Sequence, residues 1–277
     1  MTGHSSIRHY PGFALLSWLA LVFIYGPILA VAAYSFNSTR SITVWEGFSL
    51  DWYAKALSNP QLQSAAINSL IVAVSASVTA TICAIAAALA MARGKNFAGK
   101  RVLFSLINLP LIVPEIVSAI GSLLFFVTIG LSLGIGSIVL AHIVFCIPFA
   151  YLPIAARLRG IETAYDEAAA DLHANRWETF RYVLLPLMKP GVISGFMLAF
   201  IVSIDDFIIT NFVAGPGATT LPLAIYGMVR VGFTPEINAI ATMMLALSIV
   251  FVVGSTLFGR AAVNPGKVVK KLKEEVK

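Results

Sequence analysis

The sequence predicts an all-α membrane protein with six transmembrane helices. Of its 277 residues, 58% are hydrophobic and only 12% charged, about half the charge of a soluble domain. The apolar residues fall in six runs, each near or above the ~20 residues that cross a bilayer as a helix. If every run crosses, sixteen of the nineteen lysines and arginines fall on one side, and only Arg40, Lys55 and Arg230 on the other. Basic loops stay cytoplasmic, so both termini are expected inside. The net charge of +6 does not point to nucleic acid, because the bases sit in short clusters between spans. Cys83 and Cys146 both lie within apolar runs, which excludes a disulfide framework and suggests small-residue packing for each.

The runs cover about 13–35, 65–92, 103–129, 135–157, 191–213 and 236–259. The first follows Arg8 and contains Ala30-Val-Ala32, which resembles a cleavage site. Its apolar stretch exceeds the ~7–15 residues of a signal-peptide core, so it is expected to be retained as a span. The outer segment that follows, 36–64, carries Trp45, Phe48, Trp52 and Tyr53. Ser49 is placed to cap a short helix starting near Asp51, with Trp52, Tyr53 and Leu57 anchored at the membrane interface. In the third run Pro110 and Pro114 precede Glu115, where proline is expected to kink or open the helix. The lysine-rich tail, 264–277, has no apolar face and is expected to be disordered or to meet lipid.

Three acids, Glu115, Asp205 and Asp206, lie inside the runs. Each costs about 2.5–3.5 kcal/mol at mid-bilayer, so they must face protein, water or a cation. Glu115 lies ~18 Å and Asp205 ~21 Å along a helix from the same side. Adjacent helical residues point about 100° apart, so Asp205 and Asp206 cannot face one way unless the helix unwinds. Ser203, Asp206 and Thr210 form a polar stripe that turns Asp206 inward and leaves Asp205 for a neighbouring helix or a second subunit. No lysine or arginine lies at that depth. A transported cation is therefore one expected partner: at ~4 Å an ammonium gains about 4 kcal/mol from a carboxylate at a dielectric near 20. The alternative is that the acids are protonated or bonded to Ser203, Thr210 or His142.

Between the fourth and fifth runs lies a polar stretch with Glu162, Asp166, Glu167, Asp171 and Glu178. Glu167 to Leu172 is Ala-rich and favours helix. Asn175 interrupts, and Trp177, Phe180 and Leu184 return at helical spacing before Pro186. Two short helices with a bend between them are expected.

Glu167-Ala168-Ala169, then the bend, then Leu185-Pro186 resembles the EAA loop of permease subunits in bacterial ABC importers. The resemblance implies a type I importer permease fold of the MetI-like kind. A core at 63–259 would carry the loop at 158–190, preceded by 1–62 and followed by a basic tail at 260–277. Glu167, Ala168, Ala169, Asp171, Leu172, His173 and Ala174 would form the helix that docks on a cytoplasmic ATPase. That pattern normally carries Gly where this chain has His173; His and Asn tolerate positive φ better than most residues, so His173 or Asn175 can make the bend. Asn68-Ser69-Leu70 is similar to the start of the family's core, which makes the first span an added helix embracing a partner.

A second resemblance covers nearly the whole chain. Ser35-Phe-Asn-Ser38, His142 with Phe145-Cys-Ile-Pro-Phe149, Ser203-Ile-Asp-Asp-Phe207, Val213-Ala-Gly-Pro216, Thr220-Leu-Pro-Leu223 and Pro235-Glu-Ile-Asn-Ala239 together resemble permeases of bacterial spermidine/putrescine importers. This implies that Glu115, Asp205 and Asp206 meet the polyamine. Glu236 would either help admit it or cap the sixth helix. The partners implied are a homologous second permease, two cytoplasmic ATPase subunits and a periplasmic polyamine-binding protein, in a bacterial inner membrane. No phosphate-gripping G-x-x-x-x-G-K-[ST] loop occurs, so the chain is not expected to hydrolyse ATP, and neither cofactor nor metal is expected. The alternatives are an importer for another cationic or amino-acid-like solute, and an ion-coupled secondary transporter active without any ATPase.

Overall fold

The computed structural model describes residues 11–40, 44–94, 97–232 and 234–261. Arg8, Lys95 and the basic tail at 264–277 lie outside the described residues. The chain forms two compact units: residues 1–60 with 225–246, and residues 61–224 with 247–277.

In the first unit α1 (Pro11–Tyr34) is apolar throughout, and none of its membrane-length window is buried. Phe23, for instance, is 84% exposed. A helix apolar on every side belongs in lipid or against another protein. The following segment closes on itself around Asn37, which is fully buried. The Asn37 side chain donates to Val44 O (2.7 Å) and accepts from Glu46 N–H (3.1 Å), while its carbonyl accepts from the Trp52 indole (2.8 Å). Ser35 and Tyr53 share a 2.6 Å hydrogen bond, and Phe36 stacks on Phe48 at 5.3 Å. The short helix α2 (Asp51–Ser58) follows, with Ser49 Oγ accepting from Asp51 N–H as the sequence suggests. Trp52 corrects the expectation of an interfacial anchor. It is buried, because its indole N–H finds a carbonyl inside this knot, whereas Trp45 and Leu57 stay exposed.

The second unit is built on α3 (Pro60–Ala92), which buries a stripe of Ala65, Ser69, Ala73, Ala76, Ala80, Ala84 and Ala88. Small residues at helical spacing let backbones approach closely, which is how helices associate in lipid. Cys83 lies off that stripe and is exposed, so the packing role expected of it is not seen within this chain. Next come α4 (Lys100–Ile112) and α5 (Glu115–Thr128), which the sequence reading had as one span. They are bent from each other by 112°. Val113 and Pro114 adopt extended backbone at the break, consistent with the bias of proline against the preceding helical conformation.

The long α6 (Ile135–Arg159) passes through Pro148 and Pro153 without stopping. Its end leads into α7 (Ala164–Asp171) and then α8, a continuous helix over Arg176–Ile204. Helix α8 corrects the expectation of a separate helix ending at Pro186. Residues Thr179–Leu184 form a wide π turn in which Leu185 N–H donates to Phe180 O. That turn takes up the change of register just ahead of Pro186, which has no N–H to give. Helices α6 and α8 press together at Gly195, where a Cβ would lie 2.6 Å from Ala150 O. Cys146, buried as expected, donates to Ala199 O across the same seam (3.5 Å).

The fifth run does not continue to Val213. Helix α8 stops at Ile204, and a short α9 (Ile208–Val213) resumes after the Asp205–Phe207 break. An apolar α10 (Leu221–Val231), not foreseen from the sequence, precedes α11 (Pro235–Ala261). Among the described residues five helices are long and apolar enough to cross a membrane, and six spans result if the bent α4–α5 pair counts as one. Among the described residues the only β contact is an isolated bridge between Asn37 and Phe48.

Candidate functional site

Both helix breaks carry acids. Glu115 opens α5 directly after Pro114, and Asp205 and Asp206 occupy the gap between α8 and α9. Helices α5 and α9 pack on each other, so the two acid-bearing breaks belong to neighbouring elements. Broken backbone at membrane depth is tolerated where it is buried in protein or lines a polar cavity.

Asp206 is 6% exposed and well supplied with donors. Its Oδ1 accepts from Thr210 N–H (3.0 Å) and Thr210 Oγ1 (3.1 Å), and its Oδ2 accepts from Ile209 N–H (3.4 Å). His142 Nε2 lies 3.1 Å from Oδ1, while Nδ1 is 2.8 Å from Ser203 Oγ. The inward orientation expected of Asp206 is therefore seen, but the acid does not lack an internal partner. For Asp206 the alternative of bonds to His142 and Thr210 is the one seen, and the packing of α6 against α8 brings His142 to it. Asp205 is exposed and accepts from Ser248 Oγ on α11 (3.2 Å), a neighbouring helix as the stripe argument required. The two adjacent acids point apart: Asp206 is fixed inside and Asp205 remains accessible.

The polar stretch forms a second site. Ala169 is buried, whereas Glu167, Ala168, Asp171, Leu172 and His173 are exposed and Ala174 is half-buried. His173 has φ 61°, the one positive value outside glycine among the described residues. Of His173 and Asn175, the two residues expected to make the bend, it is His173 that takes the left-handed conformation. Asn175 begins α8 in extended backbone instead: its Oδ1 accepts from Trp177 N–H (3.0 Å) and Glu178 N–H (2.9 Å), and Glu178 Oε2 accepts from Asn175 N–H (2.7 Å). This reciprocal cap sets the exit angle of the bend. Leu172 (83%) and Trp177 (63%) project from it. Arg93, which the sequence suggested only as a topology charge, pairs with Asp166 at 2.8 Å and donates to Ile161 O at 2.7 Å. Glu236, in the first turn of α11, accepts from Asn59 Nδ2 (3.3 Å).

Residues 80–264 match the model of the binding-protein-dependent transport system inner membrane component family. The chain belongs to this family. It is 39% identical over 250 residues to the putrescine transport system permease protein PotI of Escherichia coli (strain K12), covering 88% of this chain and 89% of that one. It is 40% identical over 238 residues to the spermidine/putrescine transport system permease protein PotC of the same strain, covering 86% and 90%. In fold it resembles a permease of a bacterial ABC transporter involved in the import of alginate, with a TM-score of 0.67 at 17% identity over 93% of this chain and 98% of that one. A methionine ABC transporter matches with a TM-score of 0.61 at 17% identity, over 74% and 99%. The chain is a multi-pass permease of the ABC importer kind, and not the ATPase.

Proposed function

We propose that this permease forms half of a translocation pathway that carries putrescine or spermidine inward. The observation that carries the reading is the packing of α5 on α9, which makes neighbours of the helix breaks that hold Glu115 and Asp206, with Asp205 exposed at the second. A linear polycation needs several carboxylates spaced along its path, each loosely enough held to let go. Asp205 and Glu115 supply the accessible charges, and Asp206, held by His142 and Thr210, fixes the shape of the site. The names of the relatives above support this solute over other cations.

The partners in this reading are a homologous second permease, two cytoplasmic ATPase subunits and a periplasmic polyamine-binding protein. Glu167 to Ala174, with Leu172 and Trp177, dock in the ATPase, and α1 lies in lipid or against the second permease. The bias of lysine and arginine supports cytoplasmic termini in a bacterial inner membrane. The deciding experiment is uptake of labelled spermidine and putrescine by the reconstituted complex, with and without ATP. Accumulation should require ATP and fall when Asp205 and Asp206 are both changed to Asn; unchanged affinity and rate in that variant would sink the cation-site reading.

A further inference from the structure

Apart from hydrogen bonds to its own backbone, helix α3 reaches two different loops of the same unit, from Asn68 and Ser69 in its first third and from Arg93 just past its last residue. At one end, Arg93 directly after the helix grips the connection leading out of α6. Its Nε faces Asp166 Oδ2 in the first turn of α7 at 2.8 Å, and its Nη2 donates to Ile161 O at 2.7 Å. Both side chains of the pair are largely covered, at 19% and 27% exposure. It is the one pair of a lysine or arginine with an acid among the described residues. At the other end, Asn68 Nδ2 donates to Gly217 O (3.2 Å) and Thr219 O (2.9 Å), and Ser69 Oγ accepts from Leu221 N–H (2.8 Å). Gly217 and Thr219 lie in the loop that follows α9 and Leu221 opens α10, so the short α9 alone separates this grip from the Asp205–Asp206 break. Between the two grips α3 runs uninterrupted from Ser69 to Ala92, a length of about 36 Å at helical rise.

We infer that α3 is a tie rod: Arg93 couples movement of the α7 segment to the loop at 214–220, and so to the acidic break. The covalent route from α7 to that break runs along α8 and through the π turn at Thr179–Leu184, a wide segment that yields under load. Helix α3 contains neither proline nor a π turn after its first residue, so it transmits axial displacement with less loss. The guanidinium holds Asp166 as an ion pair at 2.8 Å and hydrogen-bonds Ile161 O through Nη2, so one planar group engages the connection at two points. Arg93 is thus a positioning residue that acts through Asp166 and α3 rather than on the solute. The inference rests on the importer reading given above.

The test uses the full reconstituted importer and reads the stimulation of ATP hydrolysis by spermidine-loaded binding protein, together with co-purification of the ATPase. Arg93→Gln and Asp166→Asn are each expected to retain the ATPase while stimulation drops about 5-fold or more, the range of ordinary allosteric coupling. Asn68→Leu, at the far end of the rod, should produce the same uncoupling. The exchange Arg93→Asp with Asp166→Arg should recover part of the stimulation, which a residue needed only for folding would not do. Full stimulation in Arg93→Gln or Asn68→Leu would overturn the tie rod, as would loss of the ATPase from the Arg93→Gln complex. If the unaltered importer itself shows no stimulation, the importer reading fails instead, so the two failures are separable.

Discussion

His142 Nε2 sits 3.1 Å from Asp206 Oδ1, and both side chains are almost fully enclosed between α6, α8 and α9. A carboxylate at membrane depth is costly unless donors surround it. Here they come from an imidazole, a threonine hydroxyl and two backbone amides at the start of α9. The acid thereby holds the break open in one defined geometry.

His142→Ala should destabilise the permease by about 1–3 kcal/mol, the cost of leaving a buried acceptor short of a partner. Thermal unfolding of the purified complex measures this. The double variant His142→Ala with Asp206→Asn should lose less than the sum of the single losses, because the two side chains act as one unit.

Asp205 and Asp206 should separate in their kinetics. Asp205 is exposed and Asp206 buried, so Asp205→Asn should chiefly raise the KM for spermidine. Asp206→Asn should lower kcat and the thermal midpoint together. Initial-rate uptake at several concentrations tells these apart; identical profiles for the two variants would contradict their assigned roles.

The left-handed backbone of His173 sets a further expectation. His173→Gly should be neutral or stabilising, since glycine reaches φ 61° without Cβ strain. His173→Val should cost about 1–2 kcal/mol and tilt α7 relative to α8. Melting temperature and ATPase coupling ratio should both fall for Val and hold for Gly.

Leu172 and Trp177 project from the bend at 83% and 63% exposure. Leu172→Asp or Trp177→Ala should weaken retention of the ATPase during purification by at least about tenfold, as expected of an apolar anchor worth more than 1 kcal/mol. The fold of the permease should be unaffected, as its thermal unfolding in detergent would report.

At the seam of α6 and α8, Gly195→Leu should destabilise by about 1–3 kcal/mol or more, because even a Cβ would stand 2.6 Å from Ala150 O. Gly136, beside which nothing lies within 4 Å, is the matched control, and its change to Ala should leave the melting temperature unaltered.

Much of this molecule was legible in the order of its residues. Apolar runs long enough to cross a bilayer declare themselves through composition, because lipid excludes charge and demands internally bonded backbone. The acids in those runs and the short helix and bend from Glu167 to Asn175 were legible for the same reason: charge inside an apolar run, and alanine beside a breaker, are local signals. The left-handed turn could be narrowed to His173 or Asn175 from residue preference, and the structure assigns it to His173.

The breaks and the pairings were decided elsewhere. Pro114 and the adjacent acids signalled strain, but a 112° bend at one break and a gap of three residues at the other depend on what packs against them. His142 meets Asp206 only because Gly195 and its small neighbours let α6 and α8 close together, and Arg93 finds Asp166 across 73 positions of sequence. Hydrophobicity acts on each segment by itself and can be summed along a chain. Which donor faces which buried acid is a property of helices in contact, and only the tertiary structure sets it.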